Sequence, residues 1–169
     1  MKKEILFLLI FVIGICLICG CVNQSHSSTP KSVATPIPTP QNHFNINEPA
    51  TDGNLRVTVL GTREGGDRVG FNGDKKMYYV KVKLENLRSD KKIQVYPQDF
   101  TLFTKNGGDF STMFFASYYS QSYDVSPNKY GSPELEYTVP LDAVGDKLKF
   151  DFSRPSGVLK GGKVVYFVL

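Results

Sequence analysis

The chain of 169 residues contains no tryptophan, three cysteines and two histidines. Cys16, Cys19 and Cys21 all lie in the first 21 residues, and His26 and His43 both precede residue 44. A folded domain drawn from the rest has neither thiol nor imidazole. This excludes a disulfide framework, a thiolate or imidazole zinc site, a Cys nucleophile and a His general base from such a domain. Excess charge is also scarce: 20 Lys+Arg against 16 Asp+Glu leave a net +4. That is too little for a nucleic-acid partner. The Asp142-Ala143-Val144-Gly145-Asp146 stretch lacks the dense carboxylate spacing of a calcium loop. Lys160-Gly161-Gly162-Lys163 lacks the GxxxxGK[ST] spacing of a phosphate loop. Nothing marks a Ser–Lys or paired-carboxylate hydrolase site. The expectation is a protein that is not an enzyme and takes no cofactor or metal.

What the chain does have at its start is an address. Lys2 and Lys3 precede a run, Ile5 to Ile18, that is apolar apart from Gly14 and Cys16. Its 14 residues fit a signal-peptide core of roughly 7–15 residues and fall short of the roughly 20 that span a bilayer. The run ends in Ile18-Cys19-Gly20-Cys21, which resembles a lipobox whose final Cys becomes the lipidated first residue. Residues 1–20 are therefore expected to be a lipoprotein signal peptide and Cys21 the lipid attachment point. An uncleaved signal anchor and simple secretion are the competing readings. Lipidation or anchoring places the rest of the chain outside the cytoplasmic membrane, because the Lys pair stays inside. Each buried CH2 of the lipid adds about 0.8 kcal/mol of anchoring.

Residues 21–50 hold five of the ten prolines, among Ser, Thr, Asn and Gln. Such a segment cannot bury enough apolar surface to offset chain entropy and is expected to be a disordered tether. Thr35-Pro36-Ile37-Pro38-Thr39-Pro40 favours polyproline II, a semi-rigid spacer.

Residues 51–169 alternate apolar and polar positions with period two, as in Leu55/Val57/Val59, Tyr78/Val80/Val82/Leu84 and Leu135/Tyr137/Val139. The same holds for Leu148/Phe150/Phe152 and Val164/Tyr166/Val168. Turn sequences such as Glu64-Gly65-Gly66-Asp67 and Lys105-Asn106-Gly107-Gly108 separate the runs. Seven or eight strands, each with one buried face, predict an all-β fold: an antiparallel sandwich of immunoglobulin-like topology.

The Tyr78–Leu87 stretch, YYVKVKLENL, leads through a short polar turn into Asp99-Phe100-Thr101-Leu102. With Glu134–Pro140 this resembles the family called domain of unknown function 4352, over about residues 53–152. The resemblance implies an immunoglobulin-like sandwich on secreted proteins and lipoproteins of prokaryotes, with no established activity. Asn86 at a strand end can bond nearby backbone and start the turn; Asp99-Phe100 sets an acid at a strand entrance and an aromatic in the core.

One segment departs from ordinary sandwich composition. Phe110 to Tyr130 contains Phe110, Phe114, Phe115, Tyr118, Tyr119, Tyr123 and Tyr130 among Ser and Gln. Two readings stand: Phe114 and Phe115 fill the core while the tyrosines cover its open end, or the tyrosines form a binding loop. Tyr118, Tyr119, Tyr123 and Tyr130 are the candidate binding residues, for a saccharide or peptide. A cluster of Lys75, Lys76, Lys81, Lys83, Arg88, Lys91 and Lys92 reads as protection of a sheet edge, or as a face toward anionic lipid or wall polymer. The expected whole is a lipid-anchored domain outside the membrane that binds a protein or envelope polymer. A solute- or saccharide-binding lipoprotein is the alternative.

Overall fold

A computed structural model describes residues 41–67, 74–112, 114–116, 121–158 and 162–169. The chain divides into two units, Met1–Ile37 and Pro38–Leu169, and all described residues lie in the second. The signal run, Cys21 and the Pro-rich stretch to residue 40 lie outside the described residues, as do Tyr118 and Tyr119. Among the described residues no helix is long and apolar enough to cross a membrane.

Twelve strands are described: β1 (His43–Asn45), β2 (Pro49–Thr51), β3 (Leu55–Asp67), β4 (Lys75–Asn86), β5 (Ile93–Val95), β6 (Phe100–Thr104), β7 (Asp109–Ser111), β8 (Tyr123–Val125), β9 (Tyr130–Gly131), β10 (Glu134–Pro140), β11 (Gly145–Asp151) and β12 (Val164–Val168). The first sheet runs β1-β12-β11-β6-β7, the second β10-β4-β3-β2 with β9 also on β4, and β5-β8 form a small third pair. Among the described residues all pairings are antiparallel except β1 with β12. The all-β sandwich expected from the alternation is what the chain forms.

The period-two pattern explains which residues meet. Val57, Val59, Val80, Val82, Leu84, Leu135 and Tyr137 turn inward from the second sheet; Leu102, Leu148, Phe150, Val165 and Phe167 face them from the first. Burying each such side chain contributes about 1.5–3 kcal/mol. Phe100, Phe150 and Phe152 pack ring to ring, with centroids 4.5 and 4.9 Å apart. The Tyr137 hydroxyl lies in this core without a hydrogen-bond partner among the described residues, and burial drives its pKa up.

Asn86 behaves as its strand-end position predicts. Its Nδ2 donates to the carbonyls of Lys91 (2.8 Å) and Val125 (2.9 Å), and its Oδ1 accepts from the Arg88 N–H (3.0 Å). One buried amide thereby closes the turn after β4 and ties it to β8.

Four expectations differ from the structure. The last part of the segment 21–50 is not tether: β1 and the start of β2 are strand, with Phe44 and Ala50 in the core. The domain therefore contains a histidine after all, His43, exposed on β1 with its Nδ1 2.9 Å from the Asn42 Oδ1. In β12 the buried residues are Val165 and Phe167, not Val164, Tyr166 and Val168. Val-Val-Tyr-Phe-Val is apolar throughout, so its face is chosen by pairing: Phe150 opposes Val165 and Leu148 opposes Phe167. Glu64-Gly65-Gly66-Asp67 is no turn but the end of β3, with a register shift between Glu64 and Asp67. A Cβ at Gly65 would sit 2.6 Å from the Tyr79 ring and 3.0 Å from the Met77 Cβ, so glycine there admits close packing rather than a reversal. Finally, the lysine-rich β4 is no edge strand; it lies between β3 and β10. Two of its four lysines find acids: Lys76 with Glu64 (2.6 Å) and Lys83 with Glu85 (3.0 Å). In the adjoining turn Arg88 pairs with Asp90 (2.8 Å), and Lys92 with Asp124 (2.7 Å).

Candidate functional site

An opening lies where the β5-β8 pair meets the start of β6. Tyr96-Pro97-Gln98-Asp99 sets it up: Pro97 opens a single 3₁₀ turn, Pro97–Asp99, which leads into β6. Proline suits this place because its missing N–H and fixed φ cost nothing in a first turn. The Asp99 carboxylate accepts from the Tyr96 N–H (2.9 Å), closing the turn, while Phe100 enters the core.

The resulting cleft holds about 460 Å³ and is lined by Tyr96, Gln98, Gln121 and Ser122. The Tyr96 hydroxyl donates to the Gln94 Oε1 (2.7 Å), and the Gln94 Nε2 donates to the Ser122 Oγ (3.2 Å). The Gln98 and Gln121 side-chain amides make no hydrogen bond among the described residues, so both keep donors and an acceptor for a ligand.

Behind the cleft the β11–β12 connection is strapped to β5. Gln94 and Ser156 exchange backbone hydrogen bonds, each 3.0 Å. Arg154 donates to the Gln98 carbonyl (2.8 Å) and lies 3.7 Å from the Asp151 carboxylate. Gly157 has φ +92, and a Cβ there would lie 2.5 Å from the Lys92 carbonyl oxygen, so only glycine lets the strap close. Burial pushes the Asp99 carboxyl up to about 6; the Tyr96 N–H and Arg154 pull it down, and Asp151 adds to the rise. Asp151 itself is held below its ordinary range. There the Ser153 hydroxyl and N–H, with Arg154 and Lys149, outweigh an opposing burial contribution that is the largest single one. Among the described residues no group of three or more His, Cys, Asp or Glu is placed to hold a metal ion.

The tyrosines singled out by composition have separate surroundings. Tyr123, on β8, packs edge-on against the buried Phe115, with centroids 5.9 Å apart at 66°, and its hydroxyl end lies against Gly131. Tyr130, on β9, is 69% exposed, with the Lys83 Nζ 4.8 Å from its ring centroid. Phe115 fills the core, whereas Phe114 is 44% exposed. The cleft residues Tyr96 and Gln98 went unnoticed in the sequence. Their one signal was Tyr-Pro-Gln-Asp ahead of Phe100, a 3₁₀ start that looks like any strand connection.

Comparison with known proteins agrees with this architecture. Residues 44–163 match the family described as Domain of unknown function (DUF4352). No curated protein matches the chain significantly. Among solved structures, the yjhA protein of Bacillus subtilis superposes with a TM-score of 0.56 at 17% identity, covering 75% of this chain and 99% of that one. A candidate lipoprotein, ycdA, also from Bacillus subtilis, gives 0.52 at 17%, covering 72% of this chain. The match takes in only 38% of ycdA, so this chain spans well under half of that protein. The secreted protein MPT63 of Mycobacterium tuberculosis gives 0.51 at 8%, covering 76% and 98%. At these identities the likeness is one of fold. The chain belongs to the DUF4352 family.

Proposed function

We propose that this protein is a lipid-anchored binding module of the cell envelope, facing outward and working without catalysis. The cleft at Tyr96 carries the reading. Its described lining is phenol, amide and hydroxyl, the groups that hold a polar uncharged ligand such as a peptide backbone. The nearest buried acid, Asp99, is occupied by the Tyr96 N–H as part of the turn. The anchor is Cys21, after the apolar run Ile5 to Ile18. Two proteins of the same fold, a candidate lipoprotein and a secreted one, accord with a place outside the cytoplasm.

The anchor is tested by labelling cells with a radioactive fatty acid and fractionating them. The full chain should carry label and sediment with membranes, and Cys21→Ser should lose both. An unlabelled protein that stays in membranes as Cys21→Ser would make the apolar run an uncleaved anchor instead. For the cleft, the immobilised full chain is challenged with a solubilised envelope extract. Any retained protein should disappear with Tyr96→Ala/Gln98→Ala; retention unchanged by that pair would remove the cleft from the reading.

A further inference from the structure

The outer face of the first sheet carries a feature that neither the cleft nor the anchor uses. His43 on β1, Tyr166 on β12 and Phe103 on β6 all point outward, because their neighbours Phe44, Phe167 and Leu102 point into the core. The His43 and Tyr166 rings stack, with centroids 5.3 Å apart and 18° between planes. Phe103 lies 6.5 Å from Tyr166 at 50°. His43 opposes Tyr166 in register, and Tyr166 opposes Lys149 on β11. Lys149 opposes Thr101, and Lys147 opposes Phe103, on β6. Aromatic rings from three strands thus reach across the sheet over a lysine-bearing strand. Three strand spacings make the row on the order of 14 Å long.

The fold leaves part of this row uncovered. A buried ring gives up its exposed area for about 25 cal/mol per Å², yet His43 stands exposed and Tyr166 and Phe103 are only half-buried. The polar groups around the rings have both signs: Lys147 and Lys149 from β11, Asp151 at its end and Asp109 on β7. Lys147 pairs with Asp146 (3.4 Å) and Asp151 with Arg154 (3.7 Å), and Lys149 and Asp109 offset one another, so the face has no net charge. A polyanion would gain nothing from it, whereas a chain of uncharged rings rich in hydroxyls would find apolar faces, donors and acceptors together. Lys149 makes no ion pair among the described residues, so its ammonium is available to a hydroxyl or ring oxygen.

We infer that the His43–Tyr166–Phe103 row is a binding platform for a neutral polysaccharide. Sugar rings would lie against the exposed aromatic surfaces, and Lys149 and Asp109 would bond their hydroxyls. The site is separate from the cleft and independent of the reading given to it. A single-stranded nucleic acid also stacks on aromatic residues, but it wants a positively charged groove, and the acids of this face oppose it.

Affinity electrophoresis of the detergent-solubilised full chain in gels containing barley β-glucan, galactomannan or soluble starch tests the inference, with alginate and oligo-dT gels as the anionic arms. At least one neutral polymer should retard the protein, and 0.5 M NaCl should leave that retardation in place. Tyr166→Ala should weaken it at least 10-fold. His43→Ala, at an exposed edge position, should weaken it several-fold with an unchanged circular-dichroism spectrum, and Tyr96→Ala in the cleft should leave it unchanged. Absence of retardation by all three neutral polymers would overturn the platform. So would retardation by alginate or oligo-dT alone, or by a neutral polymer equally in His43→Ala and the parent.

Discussion

The two sheets share one core but finish their outer faces in opposite ways. On the second sheet four cations engage acids: Arg56, Arg63, Lys76 and Lys83. Arg63 forks onto Glu134 at 2.9 and 2.6 Å, and its guanidinium lies 3.7 Å from the centre of the Tyr79 ring. Lys83 and Arg56 both reach Glu85, and Lys76 reaches Glu64. On the first sheet Lys147 pairs with Asp146 and Arg154 with Asp151, but the aromatic row of His43, Tyr166 and Phe103 and the neighbouring Lys149 take no part in those pairs. A face whose charges and rings are mutually engaged contributes to stability; one whose groups are left open is available for binding. Because the scaffold is the same, the difference lies in the outward alternate residues alone.

That contrast can be broken by truncating one aromatic on each face and measuring urea unfolding. Tyr79→Ala should cost about 2 kcal/mol, since it removes the cation–π contact with Arg63 and the packing of its ring over Gly65. Tyr166→Ala should cost clearly less while removing polysaccharide retardation. Equal costs would mean that both rows are structural.

The next effect separates the two regions by pH. The folded-state pKa of Asp99, at about 6, lies above its ordinary 3.8. The folded protein therefore binds this proton more tightly than the unfolded chain does. This carboxyl favours folding below about 4, and its contribution is lost as pH rises through about 6. Asp99→Asn should be the more stable form, relative to the parent, at pH 7.5 than at pH 4.5, by on the order of 1–2 kcal/mol. A stability difference that is flat between those two pH values would show that Asp99 is not desolvated.

Salt gives the smallest effect and acts on the opposite face. Arg63 and Glu134 bond at the surface, and that bond raises the Arg63 pKa. Arg63→Ala should lower the thermal midpoint slightly at low ionic strength, with the gap narrowing in 1 M NaCl. A gap that salt does not touch would assign the loss to stacking on Tyr79.

How far these features could be read from the chain depended on strand length and on contrast between faces. β4 was legible because Tyr78, Val80, Val82 and Leu84 alternate with polar residues and with Tyr79 along a 12-residue strand. Asn86 and Asp99-Phe100 were legible because a strand end asks for local backbone bonding and then a core aromatic. β1 and β2 were not. Three residues contain too little periodicity to detect, and both sit among Pro and Asn; β1 exists because β12 offers it a partner. With β1 went His43, and with His43 the outer-face row. The burial of β12 was ambiguous because both of its faces are apolar. The Phe110–Tyr130 segment showed an excess of aromatics, but composition could not say that Phe115 would go inward and Phe114 outward.

The sequence by itself therefore determined the class of fold, since alternation over long strands leaves a chain no other way to bury its apolar set. It also determined the closing of the turn after β4, which depends on one amide and its near neighbours. Tertiary structure decided which short segments became strands, which face of β12 turned inward and which rings met. Those outcomes depend on partners distant in the chain: His43 and Tyr166 are 123 positions apart in sequence and stack only because β1 and β12 pair.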